Sequence, residues 1–179
     1  MSSVDILITG GTLVDGSGAP GRPGTLAIED DQLRVIEAGR PLPDLAARRI
    51  DATDRIVSPG FIDLHSHAGL MILADPRHEP KVRQGVTTEV IGVDGNSYAP
   101  FDRPADLAAF VELNAGLDGH PDIAYDWDTV ASYLTRFDRR VSVNIAYLVG
   151  NSVLRIAALG WDDVPADGRA VEQMRALLA

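Results

Sequence analysis

The sequence contains no cysteine. That excludes disulfides and any metal site built on thiolate, so a metal held by this chain must be held by nitrogen and oxygen. The same absence suits a cytoplasmic protein, which is the expected location. Basic residues are scarce. Sixteen Lys and Arg stand against 26 Asp and Glu, for a net charge of −10, and no Lys/Arg-rich block occurs. A chain this acidic repels phosphate backbones, so nucleic acid is not an expected partner. Long apolar runs are missing too. All fall well below the roughly 20 residues a membrane span requires, and no membrane partner is expected. The opening MSSVDILITGG has no basic stretch leading into a long apolar core, so no signal peptide is expected. What remains is globular in character: 45% hydrophobic and 23% charged over 179 residues, enough for one ordinary domain or a small one with an appendage.

Residues 4–57 read as short strands separated by turns. VDILITGG is followed by TLVDGSGAPG and then TLAIEDDQLRVIEAG, a hairpin with Asp30-Asp31 near its tip. In its second arm Leu33 and Val35 share one parity, and Gln32 and Arg34 the other. A few short strands expose edges and cannot close a core alone. From Ser58 the pattern changes, and Arg55–Pro59 is the expected domain junction. GFIDLHSH, VTTEVIGVDG and RVSVNIAYLVG read as strands, and PRHEPKVRQG as helix or loop. In the third strand Val141, Val143, Ile145, Tyr147 and Val149 alternate with polar or small neighbours. PADLAAFVELNAGLDG carries Leu107, Phe110, Val111 and Asn114 at helical spacing. DWDTVASYLTRF reads as a helix capped by Asp126, with Trp127, Val130, Ala131, Leu134 and Phe137 on its apolar stripe. GRAVEQMRALLA is a last helix, expected to bury Val171, Met174, Leu177 and Leu178. Alternating strands and helices predict the α/β class, with a parallel sheet covered by helices.

Two motifs invite a chemical reading. GSGAPG, Gly16 to Gly21, matches a dinucleotide-binding glycine pattern, but that pattern needs a helix directly after it. Arg22-Pro23-Gly24 and a strand follow instead, so the stretch is read as a turn. The second is His65-Ser66-His67. Residues i and i+2 of a strand share a face, so Phe61, Asp63, His65 and His67 would lie on one side, with Ile62 and Leu64 facing the helices. Two imidazoles so placed can hold zinc, cobalt or nickel, or they are a surface coincidence. Their position at a strand end, where parallel sheets gather their sites, favours the metal. Asp94 ends the next strand and would reach the same rim. It is either a further metal ligand or proton carrier, or an ordinary turn residue before Gly95. Asp63 is read as a buried acid that either holds an imidazole tautomer or bonds nearby backbone. His78 and His120 are expected to be solvated loop residues, and Trp127 and Tyr133 core.

VSPGFIDLHSH, KVRQGVTTEVIG, YDWDTVASYL and VNIAYLVGNSVLR, in this order, resemble the amidohydrolase superfamily. Within it they are most similar to the D-aminoacylases, the N-acyl-D-amino-acid deacylases. The resemblance runs along essentially the whole chain. It implies a (β/α)8 barrel together with a small β-sandwich. Residues 1–57 would be the N-terminal part of the sandwich, and 58–179 the first third of the barrel. His65 and His67 would inherit the role of metal ligands. Asp94 falls where this family commonly places a cysteine ligand. Ala68-Gly69 and Asn151 stand where relatives often carry aspartate and histidine.

The implied function is metal-dependent hydrolysis of a linear amide (non-peptide C–N) bond, with an N-acyl-D-amino acid as the small-molecule substrate. One or two divalent ions, zinc foremost, would be bound. A barrel takes about 250 residues, so the catalytic aspartate and further histidines are expected beyond Ala179. The chain alone is expected to be inactive, and unstable with its strand edges open. Two other readings stay open: a cyclic-amide hydrolase of the dihydroorotase or hydantoinase kind, and a non-catalytic remnant.

Overall fold

The computed structural model describes residues 3–178. It divides the chain into two compact units, one running up to Pro59 and one starting at Gly60.

The first unit is a five-stranded sheet organised around its longest strand, β1 (Ser3–Leu13). β1 pairs antiparallel with β2 (Arg22–Glu29) and parallel with β4 (Leu45–Asp51). Its far end pairs parallel with β5 (Ile56–Val57). β3 (Gln32–Ile36) extends the sheet beyond β2, with Glu29 facing Gln32 across the Asp30-Asp31 turn, where the sequence places the hairpin tip. Asp30 takes the left-handed conformation this turn requires, φ 53°. The core is small: Val4, Leu7, Ala27 and Ile36, with Ala46 packed against it. On β3 it is Ile36 that turns inward, whereas Leu33 and Val35 are exposed. GSGAPG is a turn, as its sequel implies. The Asp15 carboxylate accepts from the Ser17 backbone N–H at 3.0 Å and hydroxyl at 2.6 Å, and strand β2 follows rather than a helix.

The second unit is mixed α/β. Three parallel strands, β6 (Phe61–Asp63), β7 (Val86–Ile91) and β8 (Asn144–Tyr147), lie in that order. Two short helices, α1 (Met71–Ala74) and α2 (Glu79–Val82), connect the first pair. A 3-10 turn (Val93–Gly95) and helices α3 (Pro104–Leu113), α4 (Ala115–Asp118) and α5 (Val130–Leu134) connect the second. α6 (Asn151–Leu159) and α7 (Gly168–Leu178) follow β8. VTTEVI is rich in β-branched residues, which fit a pleated, packed surface, and it forms the central strand. The core gathers Ile91, Leu107, Phe110, Val111, Val153 and Tyr133, among others. Tyr133 is fully buried, its ring 4.9 Å from Trp127, 5.0 Å from Phe137 and 5.4 Å from Tyr147 by centroid. Aromatic rings at such separations add attraction beyond the area they bury. On β8 the expected alternation holds: Val143, Ile145 and Tyr147 point inward, while Asn144, Ala146 and Leu148 are exposed.

Several expectations are corrected. The strand expected over GFIDLHSH stops at Asp63, so His65 and His67 sit on the loop beyond it. The Asp63 carboxylate accepts the His65 backbone N–H at 3.1 Å, a local bond that competes with the sheet ladder and ends it. Ile62 and Leu64 do not pack under helices; they are 59% and 73% exposed. The helix in DWDTVASYLTRF is short and is capped by Thr129, not Asp126. The Thr129 hydroxyl accepts from Ser132 N–H at 3.1 Å, and the Ser132 hydroxyl accepts from Thr129 N–H at 3.0 Å. Asp126 pairs instead with Arg136 at 2.9 Å. Ala131 is exposed, and Tyr133 takes the inward position. Asn114 belongs to no apolar stripe. It ends α3, its amide donating to the Phe110 carbonyl at 2.8 Å. Leu178 is 62% exposed, whereas Val171, Met174 and Leu177 are partly covered and Ala170 is the buried residue of α7.

Candidate metal centre

The loop after β6 keeps one sheet-like bond, from Ser66 N–H to the Val90 carbonyl at 3.1 Å. That bond keeps the chain extended far enough for His65 and His67 to project together while Ser66 turns the other way and is buried. Asp94 arrives from the 3-10 turn at the end of β7. The turn depends on Gly92, which has φ 81° and whose missing Cβ would stand 2.0 Å from the Leu148 carbonyl oxygen. No side chain fits there. Asp94 is itself left-handed, φ 56°, a conformation Asp tolerates better than most residues.

Three side chains converge. His65 Nε2 lies 3.0 Å from Asp94 Oδ2, and His67 Nε2 lies 3.3 Å from the same oxygen. One donor atom from each of the three residues falls within 4.8 Å of the others. Ligands about 2.0 Å from a tetrahedral zinc stand about 3.3 Å apart, which is the spacing seen at Asp94. The donor set is all nitrogen and oxygen, as a chain without cysteine requires.

Asp118, which no motif or spacing in the sequence marks, completes the arrangement. It closes α4, is buried, and accepts from His67 Nδ1 at 2.7 Å through Oδ1. An ionised carboxylate only accepts, so Nδ1 carries the proton and the Nε2 lone pair is free for a ligand bond. The other oxygen of Asp118 accepts from the Tyr98 hydroxyl at 2.5 Å. Burial first, and Asp118 second, push that phenol far above its ordinary range, so it stays a donor. Burial likewise lifts Tyr147 to about 12.

The remaining candidates sort differently. Asp63 holds no imidazole. It bonds the His65 backbone and Lys81, the one lysine of the chain. The Lys81 hydrogen bond, helped by the His65 N–H, holds the Asp63 carboxyl below its usual range, and Asp63 in turn raises Lys81. His120 is half-exposed and pairs with Glu112 at 3.1 Å. His78 is not a solvated loop residue. It lies inside and reaches Glu89, which is fully buried, with Nε2 to Oε1 at 2.6 Å, while Glu89 Oε2 accepts from the Ser66 hydroxyl. Asn151 opens α6 and is exposed. The sequence did hold a sign of Glu89: a charge on the same parity as Ile91 in a strand of otherwise uncharged residues. Asp118 gave none, since an acid ending a helix before Gly119 is ordinary.

A parallel α/β unit carrying a histidine–carboxylate cluster on the loops that follow its strands is the kind of scaffold on which metal sites are built. Comparison with known proteins makes this specific. Residues 48–177 match the model of the amidohydrolase family, and the chain belongs to that family. It is 36% identical over 170 residues to N-acyl-D-glutamate deacylase of Alcaligenes xylosoxydans xylosoxydans, covering 95% of this chain and 33% of that one. It is 38% identical over 157 residues to the D-aminoacylase of the same organism, covering 87% and 31%. The crystal structure of N-acyl-D-glutamate deacylase from Bordetella bronchiseptica, complexed with zinc and a phosphonate inhibitor, superposes with a TM-score of 0.79. That match has 34% identity and covers 98% of this chain and 35% of that one. The chain therefore spans about a third of the length of the relatives it matches.

Proposed function

We propose that the protein carrying this sequence is a metal-dependent N-acyl-D-amino-acid deacylase. Its substrate is a small N-acylated amino acid and its target a linear amide bond. His65, His67 and Asp94 are ligands to one or two divalent ions, zinc foremost. The observation that carries this reading is the approach of two imidazole Nε2 atoms to one Asp94 oxygen at 3.0 and 3.3 Å. Similarity to deacylases of N-acyl-D-amino acids along most of the chain supports the substrate class. In this reading the second unit contributes the first three strands of a (β/α)8 barrel, and the first unit part of a composite β-sandwich. Three parallel strands, each followed by helices, and a separate β-sheet support it.

When bound, a divalent ion acidifies a water and polarises the amide carbonyl. This chain's residues prepare the place for it. Asp118 fixes the His67 tautomer so that Nε2 points its lone pair outward. Asp94 brings a negative charge that offsets part of the cation's charge and is already close to both imidazoles. The tight turn at Gly92 delivers that carboxylate without a flexible side chain having to search for it. The proton-transferring aspartate implied by the resemblance is assigned to none of the described residues.

The test is zinc content by elemental analysis and release of free amino acid from N-acetyl-D-glutamate, N-acetyl-D-leucine and a cyclic amide, on the protein as its gene encodes it. Zinc and turnover of a linear substrate are expected, both lost in the doubly substituted H65A/H67A protein. Undiminished zinc and unchanged turnover in that variant would end the proposal. Cleavage of the cyclic amide alone would move it to the hydantoinase kind.

A further inference from the structure

The H-x-H segment has a middle residue, and an extended chain points it away from the two imidazoles. Here that residue is Ser66, which is buried. Its hydroxyl donates to Oε2 of Glu89, a carboxylate with no exposed surface. With its proton committed in that direction, the Ser66 oxygen accepts from the Ala68 backbone N–H at 3.2 Å. The loop turn that carries His67 is thus tied from below at both flanks of the histidine. Apart from the Ser66 N–H bond to Val90, no strand pairing among the described residues holds this loop.

Glu89 is in turn held from its other side. A buried carboxylate without partners is strongly disfavoured. An ionised one accepts only, so His78 Nε2 donates to Oε1 at 2.6 Å. Lys81 adds a favourable positive field. The delivery of His78 is unusual. Its backbone is left-handed, φ 44° and ψ 41°, at the start of α2, a conformation that a residue with a Cβ resists. From that backbone the His78 ring reaches the Glu89 carboxylate, Nε2 to Oε1 at 2.6 Å. Strain of this kind persists where surrounding structure over-determines it, and it concentrates near functional sites.

We infer that Glu89 is a positioning residue for the metal centre: anchored by His78, it grips the Ser66 hydroxyl and so fixes the loop that aims His65 and His67 at one point. The inference rests on reading those histidines as ligands. It goes beyond that reading by assigning to a buried Ser–Glu–His chain, none of whose members touches the ion, control over how tightly the ion is held.

The experiment measures cobalt and zinc affinity by competition with a chromophoric chelator, and the visible spectrum of the cobalt-loaded protein. The variants are Ser66→Ala, Ser66→Thr, Glu89→Gln and His67→Ala, with far-ultraviolet circular dichroism as a check on folding. Ser66→Ala leaves Glu89 its His78 partner, so it is expected to fold yet to bind cobalt about 10- to 100-fold more weakly with an altered spectrum. Ser66→Thr keeps the hydroxyl and is expected to restore affinity to within about 3-fold, well short of the loss that breaking an outer hydrogen bond brings. Glu89→Gln, which keeps an acceptor for Ser66 but no charge, is expected to fall between. Wild-type affinity and spectrum in folded Ser66→Ala overturn the inference, as does equal loss in Ser66→Ala and Ser66→Thr. If His67→Ala also binds like wild type, it is the ligand assignment itself that has failed.

Discussion

Among single residues, Asp118 makes the sharpest prediction. Its Oδ1 accepts from His67 Nδ1 at 2.7 Å, and it is out of reach of solvent. Replacing it with asparagine keeps the shape but removes the charge that favours one tautomer. Asp118→Asn should weaken zinc binding about 10- to 100-fold, the usual effect of losing an outer-shell partner, when measured by chelator titration. Unaltered affinity would show that His67 needs no such help. Asp63 and Lys81 make a second prediction, in pH. The Asp63 carboxyl is lowered by Lys81, so what the pair adds to stability is present above about 3.9, the unfolded value, and is lost as pH falls through the depressed folded value. Lys81 is raised, so its share is full below about 10.4 and is lost as pH rises through the elevated folded value. Carboxyl-carbon NMR should find Asp63 titrating below the ordinary range. In Lys81→Met the midpoint should climb only part of the way back, because the His65 N–H remains. A midpoint that ignores Lys81 would refute the pairing. His65 and His67 were legible as a spacing pattern, whereas Asp94, at a strand end before Gly95, read equally as a turn residue and stood out as a ligand only through the family resemblance. Asp118 was not legible, because the bond joining it to His67 spans 51 positions of chain.

Secondary-structure elements are unevenly legible in the sequence, and the unevenness has a physical cause. Long periodic stretches declared themselves: α3 buries Leu107, Phe110 and Val111 as its spacing requires, and β8 alternates as written. Short elements did not. The strand before His65 ended early because the His65 N–H bonds the Asp63 side chain rather than a neighbouring strand. α5 began later than the pattern suggested because Thr129 and Ser132 form a reciprocal cap, whereas Asp126 is drawn to Arg136. Thr129→Ala removes the hydroxyl that satisfies Ser132 N–H. It should cost about 1 kcal/mol in urea denaturation followed by tryptophan fluorescence, since Trp127 packs on Tyr133 of the same helix. The Asp126→Ala change should cost less than half of that, because an exposed ion pair contributes little. The reverse order would return the cap to Asp126.

For the molecule as a whole, surface chemistry dominates. The net charge is −10 and the sequence pI about 4.7. Among the described residues no helix is long and apolar enough to cross a membrane. Yet Phe61, Ile62 and Leu64, consecutive but for one acid, are 62%, 59% and 73% exposed. Exposed apolar surface binds hydrophobic dyes. The 179-residue chain should enhance anilinonaphthalene sulfonate fluorescence while keeping a near-ultraviolet circular dichroism signal from its packed aromatics, and Ile62→Lys with Leu64→Lys should lower the dye signal. Dye binding with no near-ultraviolet signal would mean loose packing instead.

The amino-acid order alone determined the α/β class, the hairpin around Asp30-Asp31, the turn at GSGAPG, the exclusion of thiolate chemistry and the pairing of His65 with His67. Each of these depends on neighbours within a few positions or on composition, and local chemistry is written locally. Tertiary structure decided that Asp94 stands 3.0 Å from His65, that Asp118 holds His67, and that Glu89 and His78 lie buried beneath the loop. Those facts depend on which strands lie side by side and how tightly turns such as Gly92 close. Such long-range packing is fixed by the whole unit at once; a lone charge on a buried parity, as at Glu89, marks a buried group but not the partners it will meet.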